Sequence, residues 1–405
     1  MRAYLGVKSC GALKIGVYGG SFNPPHIGHR AFAGAALTRL GLDAMYIVPA
    51  GDPPHKPLPS GSPGAAERLR LARLAFDGLE RAEVSDCETA RGGVSYTSDT
   101  VRRLTGEHPG ASVYLITGAD MFLTLRDWKD ADRILETVIP AVGARRIGDG
   151  PEIRKAADAI ARDFGVTPEI IEFEPVDVSS SQLRDALMDG GGREYLAESV
   201  YECIIRGGLY GARPELGWLR ERAYAMLDGG RVAHVEGCEL EAARLAARWG
   251  EDERSAREAA ILHDVTKRLG ADGQLELCER YGIRADELER ESAKLLHSKT
   301  GAAVARAEFH VSDAVYNAIM WHTTGKADMT MLEKLIYIAD YIEPTRDFDE
   351  AARLRDLAYT DIDAAVIYGL EISIADITSR GVTPHPRSLE ALKFLRTSRR
   401  VRRGE

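Results

Sequence analysis

Eight residues, His26, His29, His234, His263, Asp264, His297, His322 and Asp340, carry the side-chain types and spacing from which phosphate and metal chemistry can be built. His26 and His29 stand three apart, directly after Gly19-Gly20-Ser21-Phe22-Asn23-Pro24-Pro25. Two glycines let the backbone approach a ligand closely, and a helix start beyond them offers free N–H groups and partial positive charge, which together suit phosphate. The imidazoles add donors that stabilise charge on phosphoryl oxygens without a covalent intermediate. Two ordinary surface histidines would leave the Gly-Gly-Ser-Phe-Asn-Pro-Pro run without a purpose. The other six residues are spread along the second half, and there the pattern counts, because a lone histidine is usually a satisfied core residue. Asp264 lies beside the apolar stripe Ile261, Val265, Leu269, and Asp340 extends the stripe Leu332, Ile336, positions where an unpartnered carboxylate is costly. A divalent metal removes that cost. Imidazole and carboxylate ligands without thiolate suit iron, manganese, cobalt or zinc, and six residues are enough for two ions sharing Asp264.

The phosphate group needs a strand, a glycine turn and a helix to position it. Residues 15–18 read as a strand running into the glycines, and 30–40 as the helix. From residue 14 to about 211, similar β-rich runs (44–48 and 113–116 among them) alternate with helical patterns, which predicts an α/β Rossmann-like domain with a parallel sheet. Beyond Pro214 the strand patterns stop, and amphipathic segments to about residue 395 predict an all-α domain holding the six metal-type residues. The expected domains are 14–212 and 215–395, with a short Gly and Pro join. The Pro-, Gly- and Ser-rich stretch 51–64 reads equally as a mobile connector and as a substrate loop. The basic run 396–403 reads as a solvated terminus ahead of a nucleic-acid arm.

A chain of 405 residues predicts two to three domains, and 44% hydrophobic with 28% charged residues excludes collagen-like and mainly disordered classes. With 53 Lys and Arg against 62 Asp and Glu, the net charge of -9 does not favour nucleic acid or anionic lipid. Five cysteines, scattered singly with no C-x-x-C pair, suggest neither a disulfide framework nor a thiolate zinc site, so a reducing cytoplasm is the expected location. Residues 1–13 lack the apolar stretch of a signal peptide, and no later run approaches the roughly 18 apolar residues of a membrane span.

His26-Ile27-Gly28-His29 resembles the (T/H)-x-G-H signature of the nucleotidyltransferase superfamily, which implies adenylyl transfer from ATP with release of pyrophosphate. Val48-Pro49-Ala50 with Pro53-Pro54-His55-Lys56, Ser-Tyr-Thr-Ser-Asp-Thr at 95–100, Gly118-Ala119-Asp120, Leu-Arg-Asp-Trp at 125–128 and Val-Ser-Ser-Ser-Gln-Leu-Arg at 178–184 resemble the bacterial nicotinate-nucleotide adenylyltransferases in their order. The resemblance spans roughly residues 14–212. It implies that His26 and His29 bind and polarise the ATP phosphates, that Ser180 and Arg184 hold the triphosphate, and that Gly19, Gly20, Ser21, Phe22 and Gly118 are substrate-binding. Lys56 would contact phosphate from its loop, Trp128 would stack on the pyridine ring, Thr97 would recognise its carboxylate, and Asp120 would contact a ribose. Magnesium is implied with ATP. Nicotinate mononucleotide is the implied acceptor, with nicotinamide mononucleotide and pantetheine phosphate as alternatives. Where the family shows an Arg-Pro-Gly turn this chain has Ala144-Arg145-Arg146-Ile147-Gly148, which leaves open which of Arg145 and Arg146 meets the mononucleotide. Residues 1–13 precede the family's usual start and receive no role.

The adjacent His263-Asp264 pair with distant His234 and Asp340 resembles the HD phosphohydrolase superfamily. Leu-His-Asp-Val-Thr-Lys at 262–267, His-Ser-Lys-Thr-Gly-Ala at 297–302, Trp-His-Thr-Thr-Gly at 321–325 and Ile-Ala-Asp-Tyr-Ile-Glu-Pro-Thr-Arg at 338–346 resemble the HD-type symmetrical diadenosine tetraphosphate hydrolases, over about 217–395. This implies one metal on His234, His263, Asp264 and Asp340 and another on Asp264, His297 and His322, iron first and manganese or cobalt next, with Lys267 and Arg346 stabilising the polyphosphate. The expectation is a bifunctional enzyme whose partners are ATP, nicotinate mononucleotide and dinucleoside polyphosphates, with no membrane and no specific nucleic acid. Two alternatives stay open for the HD half: another nucleotide substrate, such as a guanosine alarmone, or a nucleotide-sensing regulatory role. Oligomeric state and coupling between the two sites are not legible in the sequence.

Overall fold

A computed structural model describes residues 12–54, 57–144 and 150–403; Lys56, Arg145, Arg146 and residues 1–11 lie outside the described residues. Contacts divide the chain after Ala212 into two units. The first runs β1 (Lys14–Gly20), α1 (Ile27–Arg39), β2 (Ala44–Pro49), α2 (Ala65–Ala75), β3 (Ala82–Val84), α3 (Cys87–Arg91), α4 (Thr97–Glu107), β4 (Ser112–Gly118), α5 (Ala119–Leu123), α6 (Ala131–Thr137), β5 (Ile139–Ala144), α7 (Gly150–Phe164), β6 (Glu169–Glu172), α8 (Ser180–Met188) and α9 (Glu198–Arg206). All strand pairs are parallel, in the order β3-β2-β1-β4-β5-β6. The central strands are apolar runs buried on both faces, as Ile15, Val17, Ile47, Val48, Val113, Leu115 and Ile116 are here, which is what helices on both sides of a parallel sheet require. Gly16 and Gly143 let the layers close: a Cβ at Gly16 would stand 2.7 Å from Leu42, and one at Gly143 2.5 Å from the Phe32 ring. The winding reverses between β1 and β4, so the strand carboxyl ends open a crevice there.

Strands β1, β2 and β4 fall where the sequence places them. Helix α1 begins earlier than expected, at Ile27, because His26 takes an extended N-cap conformation and His29, in the first turn, accepts from its backbone N–H. The described parts of the 51–64 stretch are tied down: Asp52 bridges to Val94, and Asn23 Nδ2 donates to Ser62 Oγ at 2.8 Å.

The second unit is helical throughout its described residues: α10 (Leu216–Tyr224), α11 (Gly229–Trp249), α12 (Glu253–Leu262), α13 (Ala271–Tyr281), α14 (Glu287–Arg290), α15 (Ala293–Phe309), α16 (Asp313–Trp321), α17 (Met331–Ile342), α18 (Ala351–Thr360), α19 (Ile362–Ser379) and α20 (Pro386–Arg403). Ile261, Val265 and Leu269 do not share one helix. The chain leaves α12 after Leu262 through tight turns in which Lys267 N–H donates to Asp264 O and Leu269 N–H to Thr266 O. Successive three-residue turns crowd His263 and Asp264 together into the interior, which a straight helix would not do. The basic run is the end of α20, where Arg396 pairs with Glu371 and Arg399 with Asp361. Among the described residues Cys87, Cys203, Cys238 and Cys278 are free and buried, and no helix is long and apolar enough to cross a membrane.

Candidate functional site

The first site forms where β1 gives way to α1. Gly20 pairs with Pro49 at the end of β2, and the backbone at Gly19 is open, with nothing within 4 Å of the point where a Cβ would stand. Phe22 adopts a positive φ of 44° and buries its ring against Tyr18, Phe76 and His29. It anchors the turn, and the Ser21 carbonyl beside it accepts from Arg68. His29 Nδ1 accepts from the His26 N–H at 3.2 Å, which leaves the ring proton on Nε2 as a donor. The His26 and His29 rings lie 3.8 Å apart, and a Cβ at Gly28 would stand 3.0 Å from His26 Nδ1, so glycine is needed between them for the imidazole to sit there.

Helix α8 brings Ser180 and Arg184 to the same loop. Ser179 caps it, its Oγ accepting from Gln182 N–H while Gln182 Oε1 accepts from Ser179 N–H, so the cap is not Ser180. Ser180 Oγ instead donates to Pro24 O at 3.0 Å and Arg184 Nη1 to Asn23 O at 2.8 Å. Both side chains are thus attached to the loop that carries the histidines. Thr97 opens α4, Gly118 caps α5 and Asp120 lies exposed in the first turn of α5, all at the strand carboxyl edge. Trp128 is half-buried, packs against the sheet core and donates from Nε1 to Thr124 Oγ1 at 3.3 Å.

Arg68 is the residue that sequence reading missed here. It is 1% exposed on α2, donates to Ser21 O at 2.9 Å and to Gly51 O at 2.6 Å, and so clamps the loops after β1 and β2 to each other. Burial lowers the pKa of its guanidinium from the ordinary arginine value. The available signal is a charged residue on the buried stripe of Arg68, Leu71, Ala72 and Ala75.

In the second unit all six metal-type residues converge. His234 comes from α11, His263 and Asp264 from the turn after α12, His297 from α15, His322 from the end of α16 and Asp340 from α17. Asp264 is fully buried at the centre: Oδ2 lies 3.3 Å from His263 Nε2 and 3.6 Å from His234 Nε2, while Oδ1 lies 3.3 Å from His297 Nε2 and 3.8 Å from His322 Nε2. Asp340 Oδ1 is 3.2 Å from His234 Nε2. Burial opposes ionisation of Asp264, but the charge of His263 beside it holds its pKa well below the usual carboxylate range.

The rings are oriented from behind. Nδ1 of His263, His297 and His322 each lies 2.7 Å from a backbone carbonyl (Ala260, Lys294 and Ile319), and His234 Nδ1 lies 3.0 Å from Glu343 Oε1. A carbonyl only accepts, so each such Nδ1 carries the proton and Nε2 presents a lone pair. Burial keeps His297 below its ordinary pKa and His322 down at about 4. The Nε2 atoms of these two neutral rings nevertheless face each other at 3.0 Å. Lone pairs at that distance repel, and a divalent cation is what such a donor set fits. The sharing of Asp264, one oxygen toward each histidine pair, suits two ions. Glu343, which orients His234, was not singled out in the sequence; neither was Cys238, whose Sγ lies 3.6 Å from His234 Nε2.

Residues 17–186 match the cytidylyltransferase-like family model and residues 231–345 the HD domain model. Over 205 residues the chain is 36% identical to a probable nicotinate-nucleotide adenylyltransferase of Gemmatimonas aurantiaca, covering 94% of that protein and 50% of this chain. The chain belongs to the nicotinate-nucleotide adenylyltransferase family. A second adenylyltransferase of this type, from Synechococcus sp. (strain JA-3-3Ab), is 36% identical over 197 residues, 92% of its length and 48% of this chain. Both adenylyltransferases are matched almost whole by about half of this chain, and the HD domain is additional to that match. A crystal structure from Clostridium acetobutylicum, described as a predicted HD superfamily hydrolase involved in NAD metabolism, is 31% identical across 46% of this chain and 100% of its own, with a TM-score of 0.45.

Proposed function

We propose that residues 14–212 transfer the adenylyl group of ATP to nicotinate mononucleotide, giving nicotinate adenine dinucleotide and pyrophosphate for NAD biosynthesis, and that residues 215–395 hydrolyse diadenosine tetraphosphate symmetrically to ADP. The chain would act in a reducing cytoplasm, which the free cysteines among the described residues suit.

The observation that carries the transferase reading is the junction of α8 with the histidine loop, Ser180 on Pro24 and Arg184 on Asn23, in a chain of this family. An oxygen of the mononucleotide phosphate attacks the ATP α-phosphorus, and the bond to the β-phosphate oxygen breaks with its electrons going to pyrophosphate. The nucleophile is already an anion, so no general base is needed. His29 Nε2–H and His26 donate to the phosphates, while Ser180 and Arg184 hold the triphosphate. Thr97, Asp120 and Trp128 take the mononucleotide and ribose, and Gly19, Gly20 and Gly118 let the backbone approach. Magnesium, arriving with ATP, would offset charge on its phosphates. At equal ATP, nicotinate mononucleotide should be the preferred acceptor; a preference for nicotinamide mononucleotide or pantetheine phosphate would overturn the assignment.

For the HD half the carrying observation is Asp264 between two histidine pairs. His234, His263, Asp264 and Asp340 would hold one divalent ion and Asp264, His297 and His322 the other, iron first and manganese or cobalt in its place. When bound, such ions lower the pKa of water and take up charge on phosphoryl oxygens. Lys267 and Arg346 flank the carboxylates and would hold the phosphate chain while water attacks one inner phosphorus and the bond to the oxygen bridging it to the other inner phosphate breaks, with ADP leaving. The test is to incubate the metal-reconstituted chain with diadenosine tetraphosphate and resolve the products by anion exchange. ADP alone supports the reading. ATP with AMP, or no turnover with iron, manganese or cobalt, overturns it.

A further inference from the structure

Three cations ring the carboxylates of the helical unit. Arg231 Nη1 lies 2.6 Å from Asp264 Oδ2, Lys267 Nζ 3.1 Å from Asp264 Oδ1, and Arg346 Nη2 2.5 Å from Asp340 Oδ1. Their side chains are 34%, 25% and 40% exposed, against 0% for Asp264, so each cation stands between a buried ligand and solvent. Arg346 Nε also lies 3.7 Å from the buried Glu343. Three positive side chains therefore stand against three negative ones, Asp264, Asp340 and Glu343. Two divalent ions would add four positive charges that no group of this cluster offsets. A phosphate chain bearing about four negative charges offsets them more fully than a single phosphate ester at about two.

Arg231 has no role in the reading above. It stands in the first turn of α11, three residues before His234, and faces the Asp264 oxygen opposite the one that Lys267 faces. One N–H of its fork goes to Asp264, and among the described residues no other acceptor takes the rest. A guanidinium held at one corner by a buried carboxylate is already oriented, and its remaining donors match two phosphoryl oxygens.

We propose that Arg231 is a substrate-binding residue of the helical unit: Asp264 fixes its guanidinium on the solvent side of the centre, and its open N–H groups grip the phosphate chain of a polyphosphate, across the site from Lys267. This rests on the hydrolase reading of the unit and deepens it by naming the residue that selects a chain of phosphates over a single one.

The test uses the full chain loaded with Co2+, whose visible absorption reports the helical unit, titrated with inorganic tripolyphosphate and separately with inorganic phosphate. Cobalt content should be the same in wild type, Arg231→Met and Arg231→Lys. Arg231→Met should need about 10- to 100-fold more tripolyphosphate for half the spectral change, with Arg231→Lys between, since a charge-assisted fork is lost. The response to inorganic phosphate should barely move. An unchanged tripolyphosphate titration in Arg231→Met overturns the proposal, as does loss of cobalt from both variants, which would make Arg231 only a support for Asp264. If tripolyphosphate binds through Arg231 but diadenosine tetraphosphate is not cleaved, the hydrolase reading fails and the role of Arg231 stands. If diadenosine tetraphosphate is cleaved with the same KM in Arg231→Met, the role fails alone.

Discussion

Gly28 and Glu343 touch no substrate in this reading, yet each determines how a histidine points. A methyl group at position 28 would press on His26 Nδ1 from 3.0 Å, so Gly28→Ala should displace the imidazole while leaving the sheet intact. A shift of a few tenths of an ångström should lower adenylyl transfer by roughly 10-fold, less than the ~100-fold of a full ångström. Steady-state kinetics beside a thermal melt will separate the two effects, and a Tm loss matching the activity loss would point to a folding defect instead. Glu343 accepts from His234 Nδ1 and from the Thr345 hydroxyl and N–H. Glu343→Gln keeps the shape and removes the charge behind the ring, and metal titration should show roughly 10- to 100-fold weaker binding at the His234 position. The site histidines could be read from the sequence because histidine is rare, ten in 405 residues, and Asp264 and Asp340 because they stand beside a histidine or on an apolar stripe. Arg68, Arg231 and Glu343 could not, since arginine and glutamate are ordinary surface residues until the fold shows which of them face inward.

At the scale of elements, strands β1, β2 and β4 were legible because runs such as Val113 to Ile116 are apolar on both faces. The start of α1 was not, because its N-cap is a histidine and the usual Ser, Thr, Asp or Asn signal is missing. The end of α12 was not either, since Ile261, Val265 and Leu269 keep helical spacing through a stretch that is turn. That turn matters to the chemistry, because it lets two consecutive residues, His263 and Asp264, enter one centre. Helix α8 offers a test at this scale. Ser179→Ala removes its reciprocal cap and should cost about 1 kcal/mol, seen as a fall of about 2–4 °C in the melting of the first unit. Because Ser180 and Arg184 ride on that helix, KM for ATP should rise more than kcat falls.

For the molecule as a whole, the fold classes read from the sequence are the ones found, a parallel α/β unit followed by a helical one. Asp264→Ala in the full chain should abolish divalent-ion binding in the HD half and leave adenylyl transfer at its wild-type rate; a transferase rate that falls in step with metal content would reveal coupling between the sites. Calorimetry offers a second check at this scale. Manganese or cobalt at 100 times its dissociation constant should stabilise the metal-binding unit by about 2.7 kcal/mol and leave the melting of the other unit in place. The three ion pairs around Asp264 and Asp340 carry one more consequence, for biogenesis. Zinc-finger-like domains need their ion in order to fold, because their ligands have no other partners. Here the buried carboxylates arrive with partners of their own, so a newly synthesised chain can finish folding before it meets its metal. Metallation would then be a step set by metal supply after translation, and a shortage would leave the helical half empty but folded, with the other half unaffected.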